Sequence, residues 1–362
     1  MIRHSVVAMT NTAAHTNHRK PAIAVYGATG YTGGYALAEL RRRGLTPILV
    51  GRDEERLRKA AAAAGFPEAE IRIAGLDDPA ALLAAFREVD VVISTLPAYV
   101  TLGEPVLAAA IAAGAHYTDT SGEQLFLSKA LDEYGPRAEA AGVTVVSGVT
   151  NSNLPGDLLG HLAARQVPGP AEIVMSLVTR GSGSGSRGSA ETVLAGMDWF
   201  RAGGWHYEDG ELRTGPSDRY PLMTFPGNAE PTAVAKFQQP PVLTIPRHTE
   251  VSYVAGVVEA TMLAQLAGFT PDVLDLLPEP SPGLSYDLVL DANGADGTTV
   301  RAVLSGPDAY RDTAIMAVEA AVRLAAGGTR AGSLAPAEAF DPAEFLDALR
   351  FHGMTWQITS AQ

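Results

Sequence analysis

The sequence predicts an α/β protein in which a doubly wound parallel sheet is followed by a second, largely antiparallel sheet domain. Three observations predict it. Residues 22–90 alternate short apolar runs with helical patterns, the run VYGATGYTGG (Val25 to Gly34) joins the first apolar run to the first helical one, and strand-like runs recur beyond residue 170.

The glycine run comes first because it carries chemistry. Gly27, Gly30 and Gly33 are spaced G-x-x-G-x-x-G between a strand expected at 22–26 and a helix expected at 33–43. A first glycine permits a tight turn, a second lets backbone approach a pyrophosphate, and a third lets helix and strand pack closely. The N–H groups at the helix start then face the phosphates. Gly27, Thr29, Gly30, Tyr31, Thr32 and Gly33 are therefore expected to bind a dinucleotide, against the plainer reading of an ordinary strand-to-helix turn.

The next strand, Pro47 to Val50, ends in Gly51 and Arg52, where an NAD site usually places an acidic residue for the ribose 2′-hydroxyl. Arg52 offers a cationic fork to a 2′-phosphate instead, with Arg56 one turn later. The cofactor read from these residues is NADP (NADPH). Asp53, Glu54 and Glu55 suit the N-terminus of the following helix.

The remaining elements follow in order. A helix is expected at 53–65, a strand near 71–74, a helix at 78–87, and a buried strand from Val89 to Thr95 that Pro97 ends. Helix 103–113, strand 115–119, a helix near 124–141 and strand 143–147 complete this half. The strand ends at 95–99, 118–123 and 148–153 line the crevice where an open α/β sheet of this Rossmann type binds ligands. Leu96, Pro97 and Ser121 join the cofactor set on that ground. Tyr99 and Glu123 become proton-donor candidates, with Tyr99 first because a phenol donates at neutral pH whereas a carboxyl must first be raised by burial. Asn151 and Asn153 offer hydrogen bonds to a substrate, or simply form turns.

Composition bounds the alternatives. A chain of 362 residues suggests two domains, and a formal charge of −13 argues against nucleic acid as a partner. No run of 18 apolar residues exists, so no membrane span is expected. With no cysteine there can be no disulfide and no thiol nucleophile. The eight histidines lack ligand spacing, so no metal is expected. The first 20 residues, with His15 and His18, read as a loose tail rather than a signal peptide, and cytoplasmic residence is the expectation.

The run TLPAYVTLGEPVLAAAIAAGAHYTDTSGE (95–123), after GATGYTG and VGR, resembles the NADP-binding half of the saccharopine dehydrogenase-like family. GPDAYRDTAIMAVEAAVRL (306–324) and GSLAPAEAFDPAEFLDAL (332–349) resemble its closing helices. The resemblance implies an NADP-dependent oxidoreductase whose α/β substrate and dimerisation domain is inserted into the nucleotide domain. The boundaries expected are 21–150 plus 307–362 for the nucleotide domain and 151–306 for the insertion, with a homodimer. One departure stands out: many relatives read G-F-D-S-x-P-S-D at the crossover, and this chain has VTNSNLPGDLLG (149–160), with Ser152 at the earlier acidic position.

In the second half, strands are expected at 171–179, 241–245, 284–290 and 298–304, and helices near 190–202, 253–267 and 308–326. The run RGSGSGSRGSAE (180–191) reads either as a flexible linker or as a mobile loop in which Arg180 and Arg187 grip an anionic substrate. Arg247 is a further anchor, and His248 an alternative acid. The resulting expectation is NADPH-dependent reduction of a C=N bond in a small or carrier-bound metabolite. An enoyl (C=C) reductase is the alternative, and a cofactor-holding regulatory protein without turnover is the rival from another class.

Overall fold

A computed structural model describes residues 19–217, 219–267 and 269–360; the expected tail, with His15 and His18, lies outside the described residues up to position 18. The first half lays down β1 (Ile23–Tyr26), α1 (Tyr31–Arg42), β2 (Ile48–Gly51), α2 (Glu54–Ala63), β3 (Ile71–Ile73), α3 (Pro79–Ala85) and β4 (Val91–Ser94). Then come α4 (Tyr99–Leu102), α5 (Glu104–Ala113), β5 (His116–Asp119), α6 (Gln124–Asp132), α7 (Gly135–Ala141), β6 (Thr144–Val146) and α8 (Asn153–Ala164).

The second half holds β7 (Ala171–Arg180), α9 (Arg187–Ala195), α10 (Met197–Arg201), β8 (His206–Glu208), β9 (Glu211–Arg213), β10 (Leu222–Met223), β11 (Thr232–Lys236) and α11 (Pro241–Thr244). It continues with β12 (Val251–Glu259), α12 (Ala260–Ala267), α13 (Val273–Leu276), β13 (Ser285–Asn293) and β14 (Thr299–Gly306). The chain closes with α14 (Ala309–Ala326), β15 (Gly332–Ser333), α15 (Pro336–Ala339), α16 (Pro342–Leu349) and β16 (Thr355–Ser360).

Strands order as β15-β6-β5-β4-β1-β2-β3 in one seven-stranded sheet, every pair parallel. The strand order reverses between β1 and β4, which opens a crevice at their carboxyl ends. Strands buried on both faces read as continuous apolar runs, and IAVY and VVIS are buried throughout. One face, with Ile23, Val25, Val91 and Ile93, packs under α1 and α14; the other, with Ala24, Val92 and Tyr117, packs under α3 and α5.

The second sheet orders as β10-β11-β12-β7-β13-β14-β16, antiparallel except for β12 beside β7, and β8 adds to β12. Its strands alternate: in β14, Val300, Ala302 and Leu304 are buried while Thr299, Arg301 and Val303 are less so. The buried side meets α8, which leads out of the first sheet and joins the two cores into one cluster.

Four expectations need correction. Residues 241–245 form a short helix, because Pro240 and Pro241 fix helical φ and supply no N–H for a ladder. Of the helix expected near 253–267, residues up to 259 instead belong to β12 and 260–267 form α12, since a valine-rich run buried over 253–258 gains more from the sheet than from helix propensity. The helix near 124–141 breaks at Gly135-Pro136 into α6 and α7. Finally, 307–362 does not stay with the first sheet: α14 and β15 do, but β16 pairs with β14 as an edge of the second.

Candidate functional site

The glycine turn supplies a cradle that only glycine fits. Gly27 has φ +91°, and a Cβ there would stand 2.7 Å from Thr95 Oγ1, so β1 and β4 approach through it. At Gly33 a Cβ would lie 2.3 Å from the Gly27 carbonyl oxygen, which is how α1 sits tight on the turn. Gly30 caps α1 without any side-chain hydrogen bond, and the first turn carries no acidic residue. The helix N–H groups therefore lack a built-in acceptor, as a pyrophosphate site requires. Thr29 is exposed at the rim, and Tyr31 and Thr32 are half-buried.

At the end of β2, Asp53 caps α2 by accepting from the Arg56 N–H, so this acid is committed to the helix. Arg52 is exposed and its charge reaches the Tyr26 hydroxyl. Among the described residues, neither Arg52 nor Arg56 has an ion-pair partner in the protein. Two free guanidinium groups beside Gly51 fit a 2′-phosphate, and the residues present thus suit NADP.

Tyr99 does not offer the free hydroxyl that its position in the sequence promises. It is 2% exposed, donates to the Ser94 carbonyl at 2.7 Å and accepts from the N–H groups of Leu96 (3.0 Å) and Thr120 (3.3 Å). Burial, with the Asp119 charge, raises its pKa well beyond the ordinary phenol value. The phenol ties the ends of β4 and β5 together. Asp119 does the same for β5 and β6, accepting from Ser121 and Gly148 N–H groups and from the Ser147 hydroxyl. Ser121 is inside this knot: its carbonyl accepts from Asn153 Nδ2, and its hydroxyl lies 3.4 Å from that of Ser147.

Glu123 is different. It is 3% exposed, its Oε1 accepts from the Val100 N–H at 3.2 Å, and its Oε2 has no partner. Burial pushes its pKa up to about 7, helped by the Asp119 charge and opposed by the Val100 hydrogen bond. A half-committed carboxyl in that range at a crevice strand end has the properties of a proton donor. Asn151 likewise keeps an unpartnered buried Nδ2, while its N–H donates to Thr313 Oγ1.

The remaining candidates sit elsewhere. His248 Nε2 lies 2.9 Å from Asp157 Oδ1, and Asp157 also accepts from the Ala337 N–H. Burial alone would lower the His248 pKa, but the hydrogen bond and charge of Asp157 outweigh it and raise it. Ala337 follows β15, three strands out from β4, roughly 14 Å at about 4.8 Å per strand. Arg247 pairs with Glu338, Arg180 with Asp287 and the Pro226 carbonyl, and Arg187 with Glu191 and the Leu274 carbonyl.

The Gly/Ser loop nonetheless reaches the crevice, through backbone rather than its arginines. The Ser186 N–H donates to the Tyr310 hydroxyl at 2.7 Å, the Tyr310 ring packs 5.1 Å from Tyr31, and a Cβ on Gly188 would touch Pro97 at 3.4 Å. Thr192 Oγ1 accepts from the Ala98 N–H. Sequence reasoning missed Tyr310, Thr192 and the glutamines Gln124 and Gln238, which bridge the two sheets and carry no local motif.

A glycine cradle for pyrophosphate, a cationic strand end for a 2′-phosphate and a second sheet closing the crevice define an NADP-binding protein of the doubly wound class. The family model "Saccharopine dehydrogenase NADP binding domain" matches residues 23–146, so the first sheet domain is an NADP-binding domain of the saccharopine dehydrogenase type. The Caenorhabditis elegans "Lipid droplet localized protein" is 30% identical over 189 residues, covering 48% of this chain and 44% of its own length. A "Trans-acting enoyl reductase" of Mycobacterium tuberculosis (strain ATCC 25618 / H37Rv) is 32% identical over 140 residues, covering 38% and 34%. The chain thus matches less than half the length of these relatives. Apo saccharopine dehydrogenase (L-Glu forming) from Saccharomyces cerevisiae shares the fold, with TM-score 0.59 and 14% identity over 94% of this chain and all of that one.

Proposed function

We propose that the protein is an NADPH-dependent reductase of the C=C bond of an α,β-unsaturated acyl substrate, small or carrier-bound. One observation carries this choice over C=N reduction. The uncommitted buried polar atoms at the crevice strand ends include, beside the Thr118 hydroxyl, a carboxyl oxygen, Glu123 Oε2, and an amide nitrogen, Asn151 Nδ2, whereas the three arginines that would anchor an imino acid are engaged by the protein. The enoyl reductase among the relatives supports the same reading.

Bound NADPH supplies a hydride to the β-carbon of such a substrate. Asn151 Nδ2 donates a hydrogen bond to the acyl oxygen as it gains enolate charge. Glu123 delivers its proton to the α-carbon and becomes a carboxylate, which the Val100 N–H already solvates through Oε1. A neutral carboxyl with pKa about 7 does this below neutrality, so turnover falls as pH rises through that value. Homodimerisation through the second sheet, whose β16 edge is paired only by β14 among the described residues, belongs to the same proposal; light scattering tests it.

The experiment is NADPH oxidation with unsaturated acyl thioesters beside a cyclic imino acid. Oxidation with the thioesters is expected. Oxidation with the imine alone would return the chain to the C=N reading, and NADPH binding without oxidation by either would favour the non-enzymatic rival.

A further inference from the structure

The backbone on either side of Glu123 is tied to the other sheet domain. Both residues flanking it are bonded across the seam. The Gly122 carbonyl accepts from Gln238 Nε2 at 2.7 Å, and the Gln124 N–H donates to Gln238 Oε1 at 3.0 Å. The Gln124 side chain, wholly buried, fills its capacity there as well. Its Nε2 donates to the carbonyls of Trp205 (3.2 Å) and Gln239 (3.0 Å), and its Oε1 accepts from the Trp205 N–H (2.8 Å) and Trp199 Nε1 (3.3 Å). From its own domain the Glu123 carboxyl is met by backbone N–H groups alone, Val100 at 3.2 Å with those of Gly122 and Tyr99 beside it.

Gly204 makes room for this arrangement. Its φ is +64°, and a Cβ there would stand 2.4 Å from both Gln124 Oε1 and Gln238 Cβ. A buried amide with both hydrogens and both lone pairs engaged is costly to move, because each bond lost leaves a desolvated polar group. The Glu123 side chain has no such constraint, since Oε2 is free.

We propose that Gln124 and Gln238 are positioning residues that form an interdomain clamp, setting the Glu123 carboxyl so that the proton donor is in place only while the two sheet domains are closed. The inference rests on the reading of Glu123 as that donor. The titratable group whose charge acts on Glu123 is Asp119, on the first domain and fixed by strand-end hydrogen bonds; Tyr99 acts on the carboxyl through its backbone N–H. Opening the seam therefore changes the hydration of Glu123 rather than its charged neighbours.

The test follows the Glu123 carboxyl directly, in full-length protein labelled with ¹³C at glutamate Cδ and loaded with NADPH. Its resonance is assigned by its loss in Glu123→Gln. In the unmodified protein it should titrate near 7. In Gln238→Ala and in Gln124→Leu, which removes the bonds to Trp199, Trp205 and Gln239 without adding charge, it should titrate lower by about one unit or more as water enters. Gly204→Ala disturbs the clamp from the opposite side and should give the same shift. NADPH affinity should change by no more than about twofold, since the cradle lies on the first domain, while the pH limb of kcat moves with the resonance. If the unmodified carboxyl titrates in the ordinary range, the proton-donor reading fails and the clamp with it. If it titrates near 7 and all three variants leave it there, the clamp alone is overturned.

Discussion

The phosphate cradle at 27–33 and the seam around 122–124 are both crevice structures without spare room, yet they are built from opposite materials. The cradle is backbone: three glycines whose missing Cβ atoms let chain approach chain, with no side-chain cap on α1. The seam is built by side chains, Gln124, Gln238 and Trp199, whose hydrogen bonds join residues 75 to 116 positions apart. The first fixes where a cofactor is held. The second, on the proposed reading, positions the proton donor, and it exists only where the two sheets meet.

The sharpest division between the two regions comes from Glu123→Gln. Turnover should fall by about 10²–10⁴ with NADPH affinity nearly unchanged, because only the proton is removed. Stability should respond with a defined sign. Burial raises the folded-state pKa from 4.5 to about 7, so the contribution of Glu123 is complete at low pH and is lost as pH rises through about 7. Relative to the unmodified protein, the glutamine variant should therefore gain about 3 kcal/mol between pH 4 and pH 8, as read from urea midpoints. A constant stability difference across that range would remove Glu123 from the acid role.

Gly33→Ala attacks the cradle by geometry alone. A methyl 2.3 Å from the Gly27 oxygen must push α1 away from β1, at a cost of about 3 kcal/mol or more, and with it goes the pyrophosphate site. Loss of NADPH binding in a calorimetric titration, while the Glu123 carboxyl still titrates near 7, would show the two regions to be separable. Intact binding would mean that the turn is an ordinary strand-to-helix connection.

This contrast also explains what was legible in the sequence. The spacing of Gly27, Gly30 and Gly33 declares itself because each glycine answers a demand made by chain a few residues away, and Arg52 is readable because the strand end that carries it is local. Tyr99 and Glu123 were placed at the right edge of the sheet, but position along a strand end says nothing about what a side chain touches. The Ser94 carbonyl takes the Tyr99 hydroxyl, and it is burial that raises the Glu123 carboxyl toward neutrality. Gln124 and Gln238 were silent because these glutamines acquire meaning from partners 75 to 116 positions away. The misread strand at 241–245 answers to its two prolines, whereas in the helix expected at 253–267 tertiary packing drew residues up to 259 into β12 and left 260–267 helical.

Arg52→Ala gives a smaller effect, confined to the cradle end. Removing a charge-assisted contact to a dianion costs about 1.5–3 kcal/mol, so NADPH should bind roughly ten- to a hundredfold more weakly while NADH binding is unchanged. Arg56→Ala should give a lesser, parallel loss. Equal affinity of the unmodified protein for NADPH and NADH would refute the strand-end assignment and leave Arg52 as a solvated loop residue.

Tyr99→Phe is the smallest expected change in turnover, and it decides whether the crevice has one proton donor or two. The hydroxyl donates to Ser94 and accepts from Leu96 and Thr120, so its removal strands backbone groups at the ends of β4 and β5 that water reaches poorly. That predicts a stability loss of about 1–3 kcal/mol, visible as a lower urea midpoint, with turnover close to the unmodified enzyme under conditions where both are folded. The ring itself should keep its place against Phe126, whose centroid lies 5.2 Å away, so the loop that carries Leu96 and Pro97 should loosen rather than collapse. If instead turnover falls by about 10² or more at unchanged stability, the phenol is moving a proton. Glu123 would then be the group that tunes it, and the seam would act on the chemistry at one remove.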